Sequence, residues 1–187
     1  MALSSLLQKL LFVNQYNVKN GRIEILGTPF IMLDASDILV LQEIDKTKMY
    51  NSVKKSSRSN MKKIVQHAQV YKNIKGQSLM NIANLSKKIA KSDEGMIKTL
   101  QDFFDVYGLG KLEIIDLNNQ EKSAMIRIEK STLASEQLKI KKTGKCVCTL
   151  TAALLAGIFS YIFDKDVDCV EKTCLAKGDE ACDFEVS

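Results

Sequence analysis

Residues 146–186 read CVCTLTAALLAGIFSYIFDKDVDCVEKTCLAKGDEACDFEV. The run from Thr149 to Phe163 is apolar nearly all round, which predicts a helix that is buried rather than amphipathic. Its small residues Ala153, Ala156, Gly157 and Ser160 would let another backbone approach closely. No charge interrupts Cys146–Phe163, and that length is near the lower limit for a membrane span. Thr149, Thr151, Gly157 and Ser160 within it, and Lys145 and Asp164 at its ends, favour a core helix. Asp166–Leu175 and Ala181–Val186 then read as two strands joined across Lys177-Gly178-Asp179.

Upstream of this stretch, Lys111–Leu117 and Ala124–Glu129 alternate apolar and polar residues around Asn118-Asn119-Gln120, a second hairpin. Leu133–Ile140 is ambiguous. Ser92-Asp93-Glu94 opens a helix whose apolar face is Met96, Ile97, Leu100, Phe103, Phe104 and Tyr107, with Gly108 and Gly110 as its stop. Leu79, Ile82, Ala83, Leu85 and Ile89 recur at helical spacing. Met61, Ile64, Val65, Ala68 and Val70 predict a helix ended by Gly76, while Ser52, Ser56, Ser57 and Ser59 weaken a helix over 47–63. Asp34 or Ser36 caps a helix over about 37–46. Arg22–Leu26 and Phe30–Leu33 read as strands around Gly27-Thr28-Pro29, with Pro29 in the connection. Asn20-Gly21 marks a turn, and leucines at 3, 6, 7, 10 and 11 form one face of a helix over 2–13. The expected fold class is therefore α+β: a helical first half packed on an antiparallel sheet, with a β-β-α-β-β C-terminal core. Residues 1–50 form an N-terminal helix-and-hairpin extension, and 51–187 the main domain.

Composition narrows the function classes. The chain has 187 residues, 45% hydrophobic and 26% charged, which excludes a disordered protein. It is long enough to fold without cross-links, and five cysteines are too few for a disulfide scaffold. The net charge of +5 is mild, and the lysine runs at 54–63, 87–91 and 139–145 carry no interleaved aromatics, so they read as solvated faces rather than nucleic-acid contacts. The N-terminus has no basic n-region and no cleavage site, so a cytoplasmic protein without a membrane span is expected. Catalysis is not expected. There is one histidine, His67, in a surface or packing context. No phosphate-binding glycine loop and no nucleophile–base set are present, and Gly108-Leu109-Gly110 is a helix stop.

The cysteines carry the chemistry. Cys174 and Cys182 flank the last turn and would be cross-strand neighbours, about 4.5–5.5 Å apart at Cβ. Cys148 sits at the start of the buried helix, where the N-terminal dipole stabilises a thiolate. Glu171 lies three residues before Cys174, so on a regular strand the two would face opposite ways; a twist or bulge would have to bring them together. Cys148, Glu171, Cys174 and Cys182 would make a closed tetrahedral set for zinc, too soft for calcium or magnesium. From spacing alone, inert core cysteines or a labile Cys174–Cys182 disulfide remain open. Cys146 and Cys169 read as small buried hydrophobes.

A cysteine before a small-residue helix containing Ala156-Gly157, followed by E-x-x-C-x-x-x-G-x-x-x-C-x-F from Glu171 to Phe184, resembles the 4-vinyl reductase domain family. VYGLGKLEI at 106–114 is similar to that family's preceding helix-to-strand passage, and the resemblance covers roughly residues 50–187. The family is similar in fold to the sensory domains of phenol-responsive activators and, more remotely, to TRAPP small subunits, ligand-binding folds of the NO-signalling and Golgi-transport type. The resemblance implies structural zinc on Cys148, Glu171, Cys174 and Cys182, and a homodimer. It also implies a hydrophobic pocket for a small-molecule or lipid-like ligand, approached by Phe103, Tyr107, Ala152, Ile158 and Cys169. The phenol sensors grip a hydroxyl with His and Trp; this chain has no Trp and its His67 lies outside the matching motif, so a larger apolar ligand is expected. Either a sensory module or an interaction scaffold of TRAPP type follows, without vinyl reductase activity.

Overall fold

The computed structural model describes residues 16–25, 28–75 and 93–187. The helix expected over 2–13 and the periodic stretch at 79–89 lie outside the described residues. The chain divides into two compact units, one of residues 1–33 with 62–107 and one of residues 34–61 with 108–187.

In the first unit, strands β1 (Tyr16–Lys19), β2 (Arg22–Ile25) and β3 (Thr28–Phe30) form an antiparallel sheet in that order. Asn20 and Gly21 both have positive φ, 53° and 74°, as a two-residue hairpin turn requires, and Lys19 pairs with Arg22 across it. Asn20-Gly21 thus joins two strands, a hairpin that the turn signal alone did not reveal. Pro29 lies inside β3 instead of in the connection. It is tolerated because β3 is an edge strand, where the missing N–H breaks no ladder bond. The rings of Phe103 and Tyr107 stack at 6.3 Å on the helix Asp93–Tyr107, and Phe30 lies 5.7 Å from Tyr107.

The second unit holds the C-terminal pattern. Helix α1 (Ala35–Ile44) is capped by Asp34, whose Oδ1 accepts from Ser36 N at 3.0 Å. Helix α2 (Lys46–Lys75) follows, with Asp93–Tyr107 as α3. Then come β4 (Lys111–Asn118), β5 (Ser123–Glu129), α4 (Thr132–Ile140), α5 (Thr149–Ile162), β6 (Cys169–Thr173), a 3-10 turn at Leu175–Lys177, and β7 (Cys182–Val186). The sheet order is β4-β5-β7-β6, all antiparallel. The ambiguous segment is α4, so the core reads β-β-α-α-β-β. Ser131 settles its start: the side chain accepts from Ala134 N, an N-cap bond that a strand could not use.

Alternation sets the register. Ala124, Ile126 and Ile128 of β5 and Cys182, Phe184 and Val186 of β7 face inward and are buried. The opposite face carries the ion pairs Lys111–Glu129, Arg127–Asp183 and Lys172–Glu185. Burying one Ile or Phe is worth about 1.5–3 kcal/mol, an exposed ion pair typically under about 1, so the inner face decides the pairing. Helix α5 packs on β6 and β7. It is 14 residues long, and no helix among the described residues is long and apolar enough to cross a membrane.

The serines of 52–59 do not interrupt α2. Ser57 is buried, and its Oγ donates to the Leu154 carbonyl of α5 at 3.0 Å. Opposite it stands Gly157. A Cβ there would run into the Lys54 carbonyl oxygen and lie 2.6 Å from Ser57 Cβ. The two backbones meet at a spacing only glycine permits, in keeping with the small residues along α5. Nearby, Lys54 Nζ bonds Asp168 at 2.7 Å and Asp166 at 3.3 Å, and Cys169 N donates to the Tyr50 hydroxyl at 2.8 Å.

Gly157→Ala tests this crossing. In an open helix the change would stabilise by about 0.5–1 kcal/mol; here overpacking of about 1–3 kcal/mol should outweigh it. Urea unfolding should show a lowered midpoint, and a raised one would mean that α2 yields without strain.

Candidate metal centre

Three pieces of backbone deliver four side chains to one point. Cys148 is the N-cap of α5, Glu171 lies on β6, Cys174 follows β6, and Cys182 is the first residue of β7. Their ligand atoms all lie within 4.8 Å of one another. Cys182 Sγ is 3.9 Å from Cys148 Sγ and 3.9 Å from Cys174 Sγ. A tetrahedral ion with metal–sulfur bonds of about 2.3 Å would set sulfur–sulfur distances of about 3.8 Å.

A bulge solves the facing problem. Glu171 pairs with Phe184 and Thr173 with Asp183, so β6 takes two steps where β7 takes one, and Lys172 is the extra residue. Glu171 and Cys174 therefore turn to the same side in spite of their odd spacing. Beyond the bulge the chain closes a short loop. Cys174 N donates to Asp179 Oδ2 at 2.8 Å, Asp179 N returns to the Cys174 carbonyl at 3.2 Å, and Gly178 supplies the left-handed φ of 113°. Leu175 N points at Cys182 Sγ at 3.4 Å.

The electrostatics are those of a crowded anionic site. The thiols of Cys148 and Cys182 beside Cys174 hold its thiol well below the usual range, while the same contact with Cys174 pushes Cys148 up. One thiolate is thus supported by two neutral neighbours. Burial pushes Glu171 up to about 8. Its Oε2 accepts from Cys148 N at 2.8 Å, but its Oε1 is buried without a hydrogen-bond partner. An orphaned carboxylate oxygen among three thiols is a polar group awaiting a cation. Donor set, spacing and orphaned oxygen all fit a soft tetrahedral ion, and the four residues could hold one.

The remaining candidates lie as follows. Cys169 is buried on β6, and burial pushes its thiol up. Cys146 is half-buried and directed at the Glu171 carbonyl at 3.8 Å; burial pushes it up to about 11. Cys174 and Cys182 are both free thiols, not a disulfide. Ala152 and Ile158 are buried on α5, whereas Phe103 and Tyr107 lie on α3 in the other unit. Sequence reading missed the supporting polar residues. Ser131 Oγ meets Cys148 Sγ at 3.4 Å, and Gln42 of α1 is buried against the residues flanking Cys148. A serine at a helix start and a glutamine in a helix are too common to signal a site by themselves.

Residues 125–187 match the model of the 4-vinyl reductase (4VR) domain family. An uncharacterised protein of Methanocaldococcus jannaschii is 30% identical over 87 residues, 46% of this chain and 49% of that protein. Another from the same organism is 26% identical over 167 residues, 84% of each chain. The chain thus spans about half the length of the first relative. Among solved structures, the phenol-responsive sensory domain of the transcription activator PoxR, with phenol, superposes at a TM-score of 0.61. It is 16% identical, with coverage of 99% of this chain and 90% of that one. The antiparallel α+β fold is shared with that sensory domain.

Burial predicts the pattern of thiol alkylation. At neutral pH, iodoacetamide should label only Cys146 in the native protein, and slowly, since its raised pKa leaves little thiolate. Peptide mass spectrometry should find the other four modified only after denaturation; rapid native labelling of Cys148 or Cys182 would contradict the geometry.

Proposed function

We propose that the protein, whose residues 125–187 match the 4-vinyl reductase domain family, is a zinc-stabilised, non-catalytic module that binds an apolar small molecule. The buried Cys148–Glu171–Cys174–Cys182 cluster, with its orphaned Glu171 Oε1, carries the zinc part of this reading. Three thiolates and one carboxylate suit zinc among divalent ions. Four protein ligands leave no open position for a substrate water, so the ion is structural. When bound, it supplies the positive charge that lets Glu171 ionise inside the protein and holds α5 to the β6–β7 hairpin.

The ligand part is supported by the fold shared with a sensory domain that is described with bound phenol. Candidate contacts are Phe103, Tyr107, Ala152, Ile158 and Cys169. All are apolar or weakly polar, so the ligand class is hydrophobic and lipid-like. A homodimer in the cytoplasm completes the reading. Ligand would act by favouring one packing of that dimer over another.

One purified sample tests both parts. Elemental analysis should give one zinc per chain. Cys148→Ser, Glu171→Ala and Cys182→Ser should lose it and lower the thermal midpoint, because a closed thiolate site contributes folding free energy directly. Native mass spectrometry should show a dimer carrying a hydrophobic adduct. Zinc-free variants of unchanged stability would overturn the metal reading, and a ligand-free protein that takes up no fatty acid or phenol would overturn the ligand reading.

A further inference from the structure

Gln42 is 2% exposed, on a helix that is otherwise apolar or solvated at its neighbouring positions. Its Nε2 donates to the Val147 carbonyl at 2.6 Å, and its Oε1 accepts from Leu150 N at 3.3 Å. The two partners fix the amide: a flip would set oxygen against the Val147 carbonyl and nitrogen against an N–H. The Val147 carbonyl and the Cys148 N–H belong to one planar peptide unit, so holding one end orients the other. That N–H is the group bonded to Glu171 Oε2 at 2.8 Å. An unbroken path therefore runs from α1 through one peptide plane to the carboxylate of the metal centre, each bond polarising the next. It also selects which carboxylate oxygen is left over, namely the orphaned Oε1.

We infer that Gln42 is a positioning residue of the metal centre, and that it couples ion binding to the docking of α1. This rests on the zinc reading above. Coupling of this kind is reciprocal. An ion that fixes Glu171 tightens the peptide and hence the grip on α1; displacement of α1 loosens Glu171 and weakens the ion. Helix α1 presents Val40, Leu41 and Ile44 to solvent on the side away from Gln42, so its position governs an apolar surface as well. A simpler role for Gln42, capping the first turn of α5, would use only Oε1 and Leu150 N.

The full-length chain separates the two roles. Cobalt(II) affinity is measured by chelator competition at pH 8 for the wild type, Gln42→Met and Gln42→Glu. Hydrogen exchange of the α1 amides is measured with and without the ion. Gln42→Glu keeps an acceptor for Leu150 N but replaces the donor to Val147, so a pure cap would leave its affinity unchanged. Positioning predicts a loss of about tenfold or more in both variants, the usual size for outer-shell partners of a metal ligand. It also predicts ion-dependent protection of α1 in the wild type that disappears in the variants. Wild-type affinity in both variants overturns the inference alone, as does wild-type α1 exchange that ignores the ion, a readout that stands even if the variants fail to fold. A wild-type protein that takes up no cobalt overturns the zinc reading and this inference with it.

Discussion

The bond from Cys148 N–H to Glu171 Oε2, 2.8 Å long, joins the first turn of α5 to the middle of β6. It is made inside the protein, where an ionised carboxylate is expensive and burial has already pushed Glu171 up to about 8. The neighbouring features all answer that expense. Cys148 supplies a backbone donor at a helix N-terminus, where partial positive charge accumulates. Lys172 supplies the bulge that turns Glu171 inward. The three thiols complete a donor set that fits a cation beside the unpaired oxygen. Without a carboxylate at that position, the three thiols would still be buried, but β6 would have no polar tie to α5 at this end.

A second constraint works at the middle of α5. The helix is apolar around most of its circumference, so it must be covered on more than one side. The β6–β7 face covers one side. The first half of α2 covers another, at a distance set by Gly157 and fastened by the bond from Ser57 to Leu154. Tyr50 and Lys54, from the same half of α2, hold the backbone at Asp168 and Cys169, just before the strand that bears Glu171. The segment 34–61 is therefore part of the same compact unit as the C-terminal motif, although the motif lies far along the chain.

Most elements are legible in the sequence because their patterns are strong. The alternation at 111–117 and 124–129 places β4 and β5 within a residue of their ends, and the apolar run at 149–163 places α5. Weak patterns give way to tertiary context. The serines of 52–59 oppose a helix locally, yet one of them makes a buried bond that only a helix offers. Leu133–Ile140 has no decisive period, and its helix depends on the Ser131 cap. Pro29 suits a connection because a central strand would reject it; an edge strand does not.

The identities and order of the four donors, the buried helix between them, and the need for an irregularity between Glu171 and Cys174 all follow from sequence alone. They rest on composition and on the two-residue period of a strand, which are local properties. Three things wait for the folded chain: where that irregularity falls, which oxygen of Glu171 is bonded and which is left over, and that Gln42, more than a hundred residues before Cys148, grips the peptide beside it. Those depend on side chains meeting across distant segments, and no local pattern in a chain encodes which distant peptide a buried amide will find.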